Sequence, residues 1–160
     1  VETEAETELL DTVENLLENG DFEDGDTAWT VTGTGGGIKD NETSNVWSGV
    51  WCLHFWSDSD FAFEAVQEVT LEPGVYTLTA YLQGGDSGDD DTFTMYAAVD
   101  NGDITVDCSL TGWRNWSTPT IENITITETT TIEVGCTVNA SAGCWGAWDD
   151  FVLYRTGDVE

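Results

Sequence analysis

Positive charge is nearly missing from this sequence. Lys39, Arg114 and Arg155 are the only basic side chains against 32 acidic ones, and the net charge is −29. Phosphate contacts require clustered Lys and Arg, so ordinary nucleic-acid binding is excluded. An anionic membrane surface is excluded on the same ground, and polyanions such as unsubstituted polygalacturonate are repelled. Neutral ligands and cations remain. Long apolar runs are also lacking: none approaches the roughly 18–20 residues that span a bilayer, so no membrane insertion is expected. The acidic, polar opening has neither the basic start nor the apolar stretch of a secretory signal. No initiator Met is present, and the chain reads as a piece of a longer one.

Catalytic vocabulary is just as sparse. Histidine occurs once, as His54 in Leu53-His54-Phe55-Trp56, with no Ser or Cys nucleophile motif beside it. A carboxylate pair for glycoside hydrolysis could be drawn from so many acids, but 160 residues is a small scaffold for holding two acids across a cleft. No enzyme is expected. The four cysteines form no C-x-x-C pair, which argues against zinc and redox motifs. Cys136 and Cys144 lie symmetrically about Ala140; if that stretch is a hairpin they face each other, which leaves Cys52 and Cys108 as a second pair. Buried free thiols are the alternative.

What the chain does contain is β pattern. Over residues 75–83, Tyr76, Leu78, Ala80 and Leu82 fall on one face, and Thr77, Thr79, Tyr81 and Gln83 on the other. Glu72-Pro73-Gly74 before it is a turn, so 66–71 and 75–83 are expected to form a hairpin. Further strands are expected over 51–56, 93–99, 104–110, 121–126, 132–138 and 145–154, with acidic or Gly-rich loops at 33–37 and 84–91. No helix is expected inside 20–155. Short strands with this punctuation predict an all-β, two-sheet antiparallel β-sandwich, most simply a jelly roll. Residues 1–14 read as an acidic linker or the end of a preceding element, 15–156 as the domain and 157–160 as a tail. Leu9, Leu10, Val13, Leu16 and Leu17 have helical spacing over 6–17, the alternative to a tail bordering the domain.

In the closing stretch, strict alternation puts Asp149 on the face of Phe151 and Leu153. An unpaired carboxylate turned toward a core is costly. A hard cation such as Ca²⁺, which takes six to eight oxygens, relieves that cost; protonation or hydrogen bonding is the alternative.

Asn19-Gly20-Asp21-Phe22-Glu23 followed by Trp29 resembles the opening of jelly-roll carbohydrate-binding modules. So do Ser48-Gly49, Leu53-His54-Phe55-Trp56-Ser57, Gln67 with Leu71-x-Pro-Gly-x-Tyr-x-Leu, and Gly143-Cys144-Trp145-Gly146 leading into Asp149-Asp150-Phe151-x-Leu153. The motifs run in order over about residues 15–156. The Leu-His-Phe-Trp-Ser block with the Gly-Cys-Trp-Gly segment is similar to family 61, whose modules accompany endo-β-1,4-galactanases and other pectin-degrading proteins. The resemblance implies a structural calcium on Glu23 and Asp149, with backbone carbonyls near Asp21 and Ser48 completing the shell, remote from the sugar. It also implies an extracellular role, with an attached catalytic domain in a larger parent chain.

The expected function is therefore non-catalytic binding of a neutral polysaccharide or oligosaccharide, foremost β-1,4-galactan. Galactose has an axial 4-hydroxyl, which leaves one ring face with a contiguous C–H patch able to lie on an indole. Eight Trp are more than one core of this size needs. The expected platforms are Trp56, Trp113, Trp116 and Trp145, with Trp113 and Trp116 in a loop. Expected hydroxyl readers are His54, Tyr81, Gln83, Arg114 and Asn115. Trp29, Trp47 and Trp148 are assigned to packing. Rival readings are a module for starch α-glucan or another neutral glycan, and a protein-binding or adhesive surface domain.

Overall fold

The computed structural model describes residues 14–40, 46–99 and 102–159. Among the described residues eleven strands follow in order: β1 Thr30–Gly33, β2 Gly36–Lys39, β3 Cys52–Trp56, β4 Phe61–Leu71, β5 Gly74–Gly85, β6 Thr92–Val99, β7 Gly102–Cys108, β8 Gly112–Ser117, β9 Thr120–Ile126, β10 Thr130–Ala140 and β11 Trp145–Gly157. They form two antiparallel sheets, one ordered β1-β4-β10-β6-β7 and the other β2-β3-β11-β5-β8, with β9 also on β5. The fold is the all-β jelly-roll sandwich, with no helix among the described residues. Most of the expected 6–17 segment lies outside the described residues; Leu16, inside them, donates its N–H to the Leu153 carbonyl at 2.8 Å.

Alternation builds the core. On β5, Tyr76, Leu78, Ala80 and Leu82 point between the sheets, as the pattern predicts, and meet Phe63, Ala65, Met95, Val134 and Val138 from the other sheet. Phe22, Trp29, Trp148 and Phe151 close one end with ring centroids 5–6 Å apart, such as 5.1 Å between Phe22 and Trp29. Trp29 and Trp148 are thus packing residues, as expected.

Three local expectations fail, and the bounds of a fourth shift. Residues 66–71 and 75–83 do not pair: β4 lies in one sheet and β5 in the other, so the Pro-Gly turn carries the chain across the sandwich. The Gly-rich stretch 33–37 is largely strand, because β1 and β2 add short edges to β4 and β3. The expected 84–91 loop is present over 86–91, its first two residues ending β5, and its Asp91 carboxylate accepts the Gly88 N–H at 2.7 Å and the Ser141 hydroxyl at 2.6 Å. Residues 112–117 form an edge strand rather than a plain loop.

The expected disulfides are absent: none of the four cysteines is bridged to another. Cys136 sits in β10, opposite Ala65 and Met95, in the five-stranded sheet. Cys144 leads into β11 of the other sheet, so β10 and β11 are not the hairpin that would set the two thiols face to face. Cys52 and Cys108 are likewise divided between the sheets. Burial pushes the Cys108 and Cys144 thiols up to about 11.

Candidate carbohydrate-binding face

The outward side of the six-stranded sheet is the informative surface. Ladder register fixes which side chains share it, because directly paired residues point to the same face. Ala147 of β11 pairs with His54 of β3 and with Gln83 of β5, so His54, Ala147 and Gln83 form one row across three strands. Two residues along, Trp145 pairs with Trp56 and with Gly85. Two residues the other way, Asp149 pairs with Tyr81. The row with the polar side chains His54 and Gln83 thus lies between an indole pair and the Asp149–Tyr81 pair. From the Trp145 row to the Asp149 row the strand rises about 13 Å, at roughly 3.3 Å per residue.

Each position has a local cause. Trp145 lays its ring over the neighbouring β5 because Gly85 gives it room: a Cβ there would come within 2.9 Å of the ring. Its indole N–H donates to Asp86 at 2.9 Å. Trp56, at the end of β3, is 52% exposed. Strand β8 pairs with β5 only through Gly112↔Gly84 and Ser117↔Leu82, so the intervening residues bow outward. Arg114 takes a left-handed φ of 59° in that bow. Its N–H donates to the buried Gln83 Oε1 at 2.9 Å, which fixes the bow to the polar row. The Arg114 guanidinium lies 5.8 Å from the Trp113 ring, and Trp113 itself is 58% exposed. Asn115 is bonded within the bow instead, where its amide donates to the Thr111 carbonyl at 3.1 Å and staples the base.

Trp47 corrects its packing assignment. It stacks on Tyr81 with centroids 4.0 Å apart and planes 8° from parallel. Trp116 stands nearly perpendicular to both, at 5.7 and 6.4 Å. The structure thus brings His54, Trp56, Trp145, Tyr81, Gln83, Arg114 and Trp116 onto one face. Tyr81, however, has one ring face covered by Trp47. In sequence, Trp47 stands just ahead of the Ser48-Gly49 motif.

The acidic end of the sandwich differs from expectation too. Register shifts between Asp149 and Val152, where three β11 steps match two on β5, and Asp150 takes φ 47°. This β-bulge reverses the facing that alternation implies. Phe151 and Leu153 are in the core, while Asp149 points outward and is buried beneath residues 46–51. Asp149 Oδ2 accepts the N–H groups of Trp47 at 2.8 Å and Ser48 at 3.2 Å. Ser48 donates its hydroxyl to Asp150 at 2.9 Å, and Glu23 accepts from Val50 at 3.0 Å and Trp51 at 2.8 Å. Asp21 Oδ1 accepts the Glu23 N–H at 3.2 Å. Far from lying remote from the aromatic face, Asp149 borders it.

Burial, reinforced by the neighbouring Asp150, pushes the Asp149 carboxyl up to about 8. Burial, with Asp21 and Glu23 nearby, raises Asp150 to about 6. Among the described residues no three metal-binding side chains converge, so a cation here needs backbone carbonyls in its shell. Ca²⁺ accepts such mixed oxygen sets, and hard, mutually repelling carboxylates are the donors it prefers. In that chemical sense the residues fit.

Comparison with known proteins decides the family. The fold superposes on TmCBM61, a family 61 carbohydrate-binding module solved in complex with β-1,4-galactotriose, with a TM-score of 0.81 and 34% sequence identity over 89% of this chain and 99% of that one. The chain belongs to carbohydrate-binding module family 61. A family 16 module (TM-score 0.65, 18% identity, 87% of this chain and 99% of that chain) shares the fold. So does the CBM22-1 xylan-binding domain of Paenibacillus barcinonensis Xyn10C (TM-score 0.61, 14% identity, 92% and 97%). No protein-family model and no curated protein sequence matches the chain.

Proposed function

We propose that this family 61 module binds β-1,4-galactan, without catalysis, on the outer face of its six-stranded sheet. The observation that carries the reading is the row His54–Ala147–Gln83, two polar side chains about a buried alanine, set between the Trp56/Trp145 pair and the Trp47/Tyr81/Trp116 cluster. Indoles offer flat apolar area to the C–H face of galactose at low entropic cost. His54 and Arg114 stand where they can read hydroxyl directions, and a site that hydrogen-bonds a hydroxyl rejects sugars lacking it. Gln83 is fully buried and holds the bow in place. A face about 13 Å long accommodates more than one sugar ring. With a net charge of −29, a neutral glycan is the compatible polymer.

In the same reading the module works outside the cell, and it directs an attached glycoside hydrolase to galactan. A structural Ca²⁺ is held at the acidic end by Glu23 and Asp149 together with backbone carbonyls near Asp21 and Ser48, and it supplies positive charge to a cluster otherwise satisfied only by N–H and O–H donors. Affinity electrophoresis against galactan, starch and xylan tests the glycan reading, and a glycan array separates it from an adhesive role.

A further inference from the structure

Residues 46–51 connect two features that the sequence kept apart. Val46 is buried with Cys52 and Ala147 on the outer side of the sheet, which seats the segment. Its main chain is then held by carboxylates: Trp47 and Ser48 on Asp149, Val50 and Trp51 on Glu23. Its side chain Trp47, 47% exposed, lies flat on Tyr81. Asp149 and Tyr81 are themselves ladder partners. One pair of neighbouring residues therefore fixes both the backbone and the ring of Trp47.

We infer that Trp47 is a sugar-contacting wall of the binding face and that Asp149 is the positioning residue that sets it there. This rests on the proposed carbohydrate reading and deepens it. An indole held by its backbone and by one ring face has little freedom left to lose when a ligand arrives, so less of the contact energy goes into ordering it. The angle between the Trp47–Tyr81 stack and the perpendicular Trp116 offers two apolar walls to one pyranose, and its C–H groups can meet both. An indole left half in solvent beside the half-buried Trp116 forms the kind of apolar patch that marks a binding surface.

The test is calorimetric titration with β-1,4-galactotriose at constant calcium, read beside near-ultraviolet circular dichroism, which reports the Trp–Tyr stack. Trp47→Ala is expected to weaken binding roughly 5- to 150-fold, by analogy with base stacking on aromatic residues. Its melt should stay close to the parent's, because half the side chain is in solvent, and Trp47→Phe should recover part of the affinity. Asp149→Asn keeps the shape but offers an amide N–H₂ to a site lined by N–H donors. It is expected to change the dichroic signature and weaken binding, yet to cost nothing further in a Trp47→Ala background. Equal losses from Asp149→Asn in both backgrounds overturn the positioning role. If Asp149→Asn does not fold, Trp47→Ala still decides: binding equal to the parent's overturns the inference alone. A parent that binds no galactotriose and no other glycan overturns the carbohydrate reading and this inference together.

Discussion

Trp56 and Trp145 stand directly opposite each other across the β3–β11 ladder, and neighbours hold Trp145 in place. Asp86 accepts its indole N–H, and Gly85 leaves room for its ring. The two indoles form the end of the face farthest from Trp47. Replacing either by Ala should weaken galacto-oligosaccharide binding about 5- to 150-fold. Trp56→Ala should leave the melt nearly unchanged, since its ring is half in solvent. Asp86→Ala should weaken binding less than Trp145→Ala does, by releasing the ring without removing it. Titration of the three variants checks this order.

Much of this was legible in the residues, and what was not has definite physical reasons. The alternation of 75–83 placed Tyr81 and Gln83 on the outer face correctly, because a strand's period is fixed. The same alternation misplaced Asp149, since it assumes an unbroken strand and the bulge at Asp150 inserts a residue. Pattern also could not say that β4 and β5 belong to different sheets; a Pro-Gly turn serves a hairpin or a crossing equally well. Trp47 was missed because its exposure depends on the path of residues 46–51, which long-range hydrogen bonds to Glu23, Asp149 and Asp150 decide.

Gly49 is a sharp probe of that path. It adopts φ +70°, and a Cβ there would collide with the Glu23 carboxylate. Gly49→Ala should lower stability by about 1–3 kcal/mol, the usual cost of a strained left-handed residue. Urea unfolding measures it; a parental midpoint with a parental slope contradicts the geometry described.

Calcium should stabilise the protein by binding the folded state. Glu23 and Asp149 come from distant parts of the sequence, so a shared cation joins them only when the chain is folded. Excess chelator is expected to lower the melting temperature, and restored calcium to recover it. An unchanged melt after verified metal removal contradicts the calcium proposal.

The buried carboxylates give the metal-free protein a definite pH dependence. Asp149 is raised from 3.8 to about 8 in the folded state, so the folded chain holds a proton that the unfolded chain has released. Stability is then highest below about pH 4 as far as this group is concerned, and it falls as pH rises toward about 8. Asp150, raised to about 6, acts in the same direction. In chelator, the melting temperature should drop between pH 5 and pH 8. Asp149→Asn should flatten the drop. Calcium should oppose it, because metal binding needs the deprotonated ligands.

The most direct measurement is calorimetric titration of the parent protein with β-1,4-galactotriose, beside xylotriose and maltotriose, at two salt concentrations. The outer-face account predicts saturable binding of the galactotriose alone, unchanged by salt because a neutral ligand releases no counterions. Binding of maltotriose or xylotriose in its place, or no heat from any of the three, would contradict it.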